Sequence, residues 1–200
     1  HDYDMDLILF GSETRLLRNQ MPEGFVDRTA DLPFATGAAL SATVTRLIPD
    51  TKSHDLVVTY RDHAAVLYHD RLGGTFEARP LDAVPAGAAR IFSADLDNDS
   101  SLDLAWNTAR GAGVAMNRNG VYRAVQWNVN GSFALIDTEN RGVLDAVASG
   151  WLHRNAGAGQ FGTSVQPQGL PGNTTALAAA DFDGDGLTDL AAVTAGGTVE

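Results

Sequence analysis

Eight aspartates in two short runs are the residues of this chain whose type and spacing could do chemistry. One run is Ala94-Asp-Leu-Asp-Asn-Asp-Ser-Ser-Leu-Asp-Leu104, and the other is Ala180-Asp-Phe-Asp-Gly-Asp-Gly-Leu-Thr-Asp-Leu190. Each places carboxylates at loop positions one, three, five and nine: Asp95, Asp97, Asp99 and Asp103, then Asp181, Asp183, Asp185 and Asp189. Alternate residues of a tightly curled loop point inward, and Ca2+ takes six to eight oxygens at roughly 2.3–2.6 Å. A backbone carbonyl from position seven would help to complete such a ring. Four carboxylates in nine residues repel one another unless a cation sits among them. Two Ca2+ sites are therefore expected. Gly184 and Gly186 permit the positive-φ turns of the curl, and Asn98 and Ser100 stand in their place in the other loop. The spacing matches the start of an EF-hand, but the flanks read as strands and no Glu follows at position twelve. The bland alternative is an Asp-rich turn capped by its own backbone amides.

Decayed copies of the same run occur elsewhere. Ile136-Asp-Thr-Glu-Asn-Arg-Gly-Val-Leu-Asp-Ala146 carries Arg141 at the fifth position, where its guanidinium could replace the cation, with Glu139 and Asp145 as partners. A copy following Leu47 ends in His54-Asp55-Leu56 and has Leu47, Pro49 and Thr51 at the ligand positions, so it cannot chelate. Asp2 and Asp6 read as the tail of another copy, whose first two ligands would precede His1.

These loops must be positioned by a repeat. The closing aspartates fall at 6, 55, 103, 145 and 189, about one per 42–49 residues. Aromatics after Gly-containing turns keep the same beat at Phe25, Phe76, Tyr122 and Phe161. Two independent markers sharing one period identify an internal repeat. Strands are expected at Thr175–Ala180 before the loop and at Leu7–Phe10, Leu56–Tyr60, Leu104–Trp106 and Leu190–Val193 after it. Third strands are expected at Arg15–Arg18 and Ala65–Tyr68, and each Gly turn with its aromatic opens a fourth. Four short antiparallel strands per repeat define the expected fold: an all-β β-propeller arc of about four to five four-stranded antiparallel blades. The repeats run approximately 1–41, 42–87, 88–131, 132–174 and 175–200.

The run Asp181 to Leu190, together with Leu152-His-Arg-Asn155 and Gly159-Gln-Phe161, resembles the FG-GAP or VCBS repeat family, whose blades also form the integrin α-subunit propeller. The resemblance extends over essentially the whole chain. It implies a calcium-binding propeller of about seven blades, of which this chain would supply part; closure of these repeats into a smaller ring is the alternative.

Composition narrows the function. The net charge of −11 and the lack of a basic stripe argue against nucleic acid, and no apolar run approaches a membrane-spanning length. Cysteine is absent, which removes disulfides and thiolate chemistry. Lys52 is the only lysine among 14 basic residues, an Arg-rich usage that points to a GC-rich bacterial source. His1 in place of an initiator Met reads as an excised segment of a longer protein. Gly157-Ala-Gly159-Gln-Phe-Gly162 matches a dinucleotide pattern literally, but it coincides with the repeat's turn landmark and no helix follows. The five histidines lack zincin spacing, there is no Gly-x-Ser-x-Gly elbow, and His54 reads as a turn residue. The sequons at Asn98, Asn130 and Asn173 are chance turn sequences in a bacterial protein. Trp106 and Trp151, near strand ends, could stack on a sugar or pack between blades.

The expected role is a non-enzymatic, extracellular, periplasmic or cell-surface scaffold that binds protein or glycan. The location follows from calcium, since sites with Kd of ~10⁻⁴–10⁻³ M fill only outside the cytosol. The alternatives are the propeller domain of a carbohydrate-active enzyme of the polysaccharide lyase type, for which no acid/base set can be assembled, and a lectin with sites between blades.

Overall fold

A computed structural model describes residues 5–50, 52–72, 75–127, 129, 131–157 and 159–199. Asp2, Thr51, Asn130 and the Gly73-Gly74 turn lie outside the described residues. The structure is all-β, with five antiparallel sheets of two to four strands. Two compact units divide at Ser93 and Ala94.

The first unit holds two sheets. Strands β1 (Leu7–Leu9), β2 (Arg15–Asn19) and β3 (Phe25–Asp27) form one of them. Strands β4 (Ala39–Thr45), β5 (Asp55–Tyr60), β6 (Ala65–Asp70) and β7 (Phe76–Leu81) form the other, in sequential order. β5 is buried along its whole length and β6 nearly so, whereas β7 exposes much of one side. A strand covered on both faces reads as a continuous apolar run, as in Leu56-Val-Val58 and Ala65-Val-Leu67. β7 is an edge strand, which is why it accepts Pro80 opposite Val66. Leu16 and Leu32 pack with Leu56, Val58 and Tyr68 in this unit's core. Burial costs the two tyrosines little, because Tyr60 Oη and Tyr68 Oη lie 2.6 Å apart and the Ala35 N–H donates to Tyr68 Oη at 2.7 Å.

The second unit repeats the plan. β8 (Arg90–Ala94), which lies before the division except for Ala94, forms one four-stranded sheet with β9 (Asp103–Thr108), β10 (Gly111–Arg118) and β11 (Val121–Trp127). β12 (Phe133–Ile136), β13 (Asp145–Ala148), β14 (Trp151–Asn155) and β15 (Phe161–Val165) make the next. β16 (Thr174–Ala180) and β17 (Asp189–Thr194) pair as a two-stranded sheet. Ile136, Val147 and Leu152 meet Leu177 and Ala192 in a shared core.

Close approaches in this unit require glycine. A Cβ on Gly159 would meet Val114 Cγ2 at 2.6 Å and Met116 Sδ at 2.8 Å, so the β14–β15 turn packs directly on β10. A Cβ on Gly113 would stand 2.6 Å from the indole of Trp106. Trp106 is only 2% exposed and sits inside β9, not at a strand end, so it belongs to the core. Trp151 is the exposed one, at 42%.

Candidate metal centre

The two aspartate loops join the first strand of a sheet to the second: 95–102 connects β8 to β9, and 181–188 connects β16 to β17. Their shape is set by the backbone. Asn98 and Ser100 have φ of 59° and 68°, and Gly184 and Gly186 have 78° and 87°. Asp95 clamps the curl by accepting the N–H of Asp99 at 3.2 Å and of Ser100 at 2.9 Å. Asp181 does the same for Gly184, Asp185 and Gly186 at 2.7, 3.2 and 3.0 Å.

Carboxylate oxygens of Asp95, Asp97 and Asp99 converge within 4.8 Å of one another, and so do those of Asp181, Asp183 and Asp189. The other two sequence-derived ligands sit differently. Asp103 gives both oxygens to backbone amides, of Leu96 at 2.9 Å and Asn117 at 2.7 Å. Asp185 accepts the N–H of Leu187 at 2.8 Å. A carboxylate oxygen keeps a second lone pair, so these bonds leave coordination open to both.

The residues fit a hard cation. Their donors are all oxygen, as Ca2+ requires. Asp97 is 7% exposed at its side chain, and its Oδ1 is buried without a hydrogen-bond partner. Burial pushes the Asp103 carboxyl above the ordinary range; the Asn117 and Leu96 amides oppose this, while the charges of Asp97 and Asp99 add to it. A cation at the loop would relieve both features. Arg118 from the end of β10 is the one cationic side chain reaching these carboxylates among the described residues, pairing with Asp97 and, at 2.7 Å, with Asp99.

The loop 137–144 between β12 and β13 has the same backbone with different chemistry. Asn140 and Gly142 carry the positive φ values of 51° and 73°, and Asp137 accepts the N–H groups of Arg141 and Gly142 at 3.0 and 2.6 Å. Here the cation belongs to the protein. Arg141 Nε lies 2.7 Å from Glu139, and its Nη2 lies 3.8 Å from Asp145. Arg154 contributes more, reaching Glu139 and Asp145, each at 2.8 Å. Burial opposes the charge on Asp145, but hydrogen bonds from Asn155, Thr138 and Arg154 outweigh it and hold its carboxyl below the ordinary range.

Arg154 exposes a rule that motif reading missed. The closing Asp opens the second strand of a sheet, and register sets one third-strand residue opposite it. One step from the pairs Leu7↔Leu17, Leu56↔Tyr68, Leu104↔Ala115 and Ala146↔His153, those residues are Arg18, His69, Met116 and Arg154. Arg18 lies 3.6 Å from Asp6, and His69 Nδ1 lies 2.6 Å from Asp55. Of these four residues Met116 alone, in the sheet whose loop gathers three carboxylates, is not basic. The signal was present in sequence as the residue preceding Asn19, Asp70, Asn117 and Asn155, but it acquires meaning only through the pairing.

Fold and loops together define an all-β repeat protein of blade-like antiparallel sheets. Residues 137–192 match the family model of the FG-GAP-like repeat, so the chain carries a repeat of that family. No curated protein matches the chain. Among solved structures it is similar to an Agrocybe aegerita lectin that recognises non-reducing terminal N-acetylglucosamine, with 15% identity, a TM-score of 0.65, and coverage of 94% of this chain and 57% of the lectin. It is similar to BBS1N, solved in complex with ARL6DN, at 15% identity and a TM-score of 0.60, covering 97% of this chain and 60% of that one. It is also similar to the biofilm matrix protein Bap1 of V. cholerae, at 19% identity and a TM-score of 0.51, covering 94% and 30%. The chain thus spans less than two thirds of the length of each. At such identities the likeness is one of fold. No helix of the described residues is long and apolar enough to cross a membrane.

Proposed function

We propose that this chain is part of an extracellular, periplasmic or cell-surface β-propeller: a calcium-stabilised scaffold that binds a protein or glycan and does no chemistry itself. The observation that carries the calcium reading is the buried, unpartnered Asp97 Oδ1 beside two further carboxylates, in a sheet whose cross-strand position opposite Asp103 lacks a cation. Asp95, Asp97, Asp99 and Asp103 would hold one ion, and Asp181, Asp183, Asp185 and Asp189 the other. The ions supply charge neutralisation, and the loops hold the first two strands of a sheet together. Sites of ~10⁻⁴–10⁻³ M affinity fill at about 1 mM calcium, which supports a working environment outside the cytosol. The sheet plan shared with a lectin and a biofilm matrix protein supports the binding role. The seven-bladed ring implied by the family belongs to the same reading, with further blades supplied by a longer protein.

Thermal unfolding of the chelator-stripped chain tests the calcium part. Two sites at about 1 mM calcium add on the order of 1–3 kcal/mol together, a rise in Tm of roughly 2–10 °C. Magnesium at the same concentration should add much less, because it demands a tighter octahedral shell. Equal Tm values in calcium and in chelator would overturn the reading.

A further inference from the structure

A second site lies in the same unit, remote in character from the aspartate loops. A cavity of about 400 Å³ is lined by Val125, Gln126 and Trp127 of β11, by His153 of β14, and by Gln160 and Phe161 at the start of β15. Its floor is aromatic. Trp127 stacks on Phe161 at a centroid distance of 4.7 Å and an interplanar angle of 28°, and His153 meets it edge-on at 5.1 Å and 88°. The two sheets meet closely here because Gly159, also in the lining, packs on Val114 and Met116 of β10.

The polar groups of this cavity are largely uncommitted. Gln126 Nε2 donates to the Ala112 carbonyl at 2.9 Å, and no hydrogen bond among the described residues engages its Oε1. No hydrogen bond among the described residues engages the His153 ring nitrogens or the Gln160 side chain. The described residues of the lining include no carboxylate, lysine or arginine. Burial also lowers the pKa of His153, so its imidazole is neutral near pH 7.

These features select a ligand by chemistry. An ion would find no countercharge. A purely apolar molecule would leave imidazole and amide groups without partners, which costs binding energy. A pyranose ring offers an apolar C–H face for the aromatic floor and hydroxyls that both donate and accept around its edge. The size is in the usual range for a small-molecule pocket with a few convergent polar groups. We infer that this cavity between β11 and the β14–β15 hairpin is a binding site for one neutral saccharide ring, held on Trp127 and Phe161 and hydrogen-bonded by His153, Gln126 and Gln160. The inference deepens the scaffold reading above by naming a glycan as ligand, and it is independent of the metal loops.

The test is titration of the whole chain, in 1 mM calcium and again in chelator, with the methyl glycosides of glucose, galactose, mannose and N-acetylglucosamine. Tryptophan fluorescence and saturation-transfer NMR report binding. At least one glycoside should saturate the protein below about 10 mM. Gln160→Ala, which removes an exposed side chain that no hydrogen bond engages among the described residues, should weaken that binding about fivefold or more. Phe161→Ala should abolish it, with circular dichroism confirming that the variant folds. Trp151→Ala removes the exposed tryptophan outside the cavity and should leave binding unchanged. No saturation by any glycoside, or loss in Trp151→Ala with retention in Gln160→Ala, would overturn the inference. Binding in calcium but not in chelator would show that the metal loops, not this cavity, hold the sugar, and would overturn it as well. The calcium-dependent Tm is read separately, so failure here leaves the calcium reading to stand or fall alone.

Discussion

The loops 95–103 and 137–145 share a backbone and differ in where their positive charge comes from. Both begin with an Asp that caps the curl, both carry positive φ at the fourth and sixth positions, and both end in a fully buried Asp at the head of a second strand. In the second loop Arg141 and Arg154 surround Glu139 and Asp145. In the first, the equivalent of Arg141 is Asp99 and the residue opposite the closing Asp is Met116. The loop shape therefore does not depend on metal. It depends on the first Asp, the positive-φ pair and the closing Asp, which staples the loop to the second and third strands. What varies between copies is the neutralising charge: Arg141 and Arg154 in one, and in the other Arg118 together with, on the proposal above, a cation from solution.

Removing the internal cation should give the largest effect. Arg154→Met leaves the buried Asp145 with Asn155, Thr138 and the more distant Arg141, and the loss of a charged hydrogen-bond partner costs about 1.5–3 kcal/mol. Chemical denaturation measures it. The same variant should alter the acid response. Asp145 has a lowered pKa when folded, so its contribution is full above its ordinary value of about 3.9 and is lost as pH falls through the folded value. In Arg154→Met that acid-sensitive part of the stability should shrink. An unchanged acid profile would mean that Arg154 does not set the charge of Asp145.

Converting one loop into the other comes next. Arg141→Asp combined with Arg154→Met gives the 137–145 loop the acidic pattern of its neighbour, and one additional equivalent of calcium should bind, worth on the order of 1 kcal/mol at 1 mM. Stoichiometry from calorimetry reads the outcome.

A smaller change is expected at Arg118, which competes with a cation for Asp97 and Asp99. Exposed ion pairs are worth about 0.2–1 kcal/mol, so Arg118→Ala should tighten calcium at the 95–103 loop by roughly twofold to fivefold. The 181–189 loop should be unaffected.

The smallest effect concerns His153 in the neighbouring cavity. Its pKa is lowered by burial, so its contribution to stability is present above about pH 6.5 and declines as pH falls below that. His153→Gln should remove this dependence, as thermal melts between pH 5 and pH 7 would show, both figures bracketing the ordinary imidazole value of about 6.5.

Much of this architecture was legible in the residues. The expected second strands begin at or beside the closing Asp, as β5, β9, β13 and β17 do at Asp55, Asp103, Asp145 and Asp189. The aromatics after Gly turns open fourth strands at Phe25, Phe76 and Phe161, and Tyr122 falls one residue into β11. Local turn chemistry and short apolar runs encode these features, so a single sequence displays them. Trp106 was less legible, since its place depends on the missing side chain of Gly113 across the β9–β10 pair. The partners of the closing aspartates were hidden for the same reason: Arg18, His69, Met116 and Arg154 lie 12, 14, 13 and 9 residues from them in sequence and meet them only in register. The cavity around Trp127 needed two sheets brought together and left no mark on either alone.

The most direct test of the charge-source account is calcium titration calorimetry on the chelator-stripped chain, with Asp97→Asn and Asp183→Asn measured beside it. The account predicts two equivalents of calcium in the parent chain and one in each variant. Retention of both equivalents in either variant, or no binding by the parent, would contradict it.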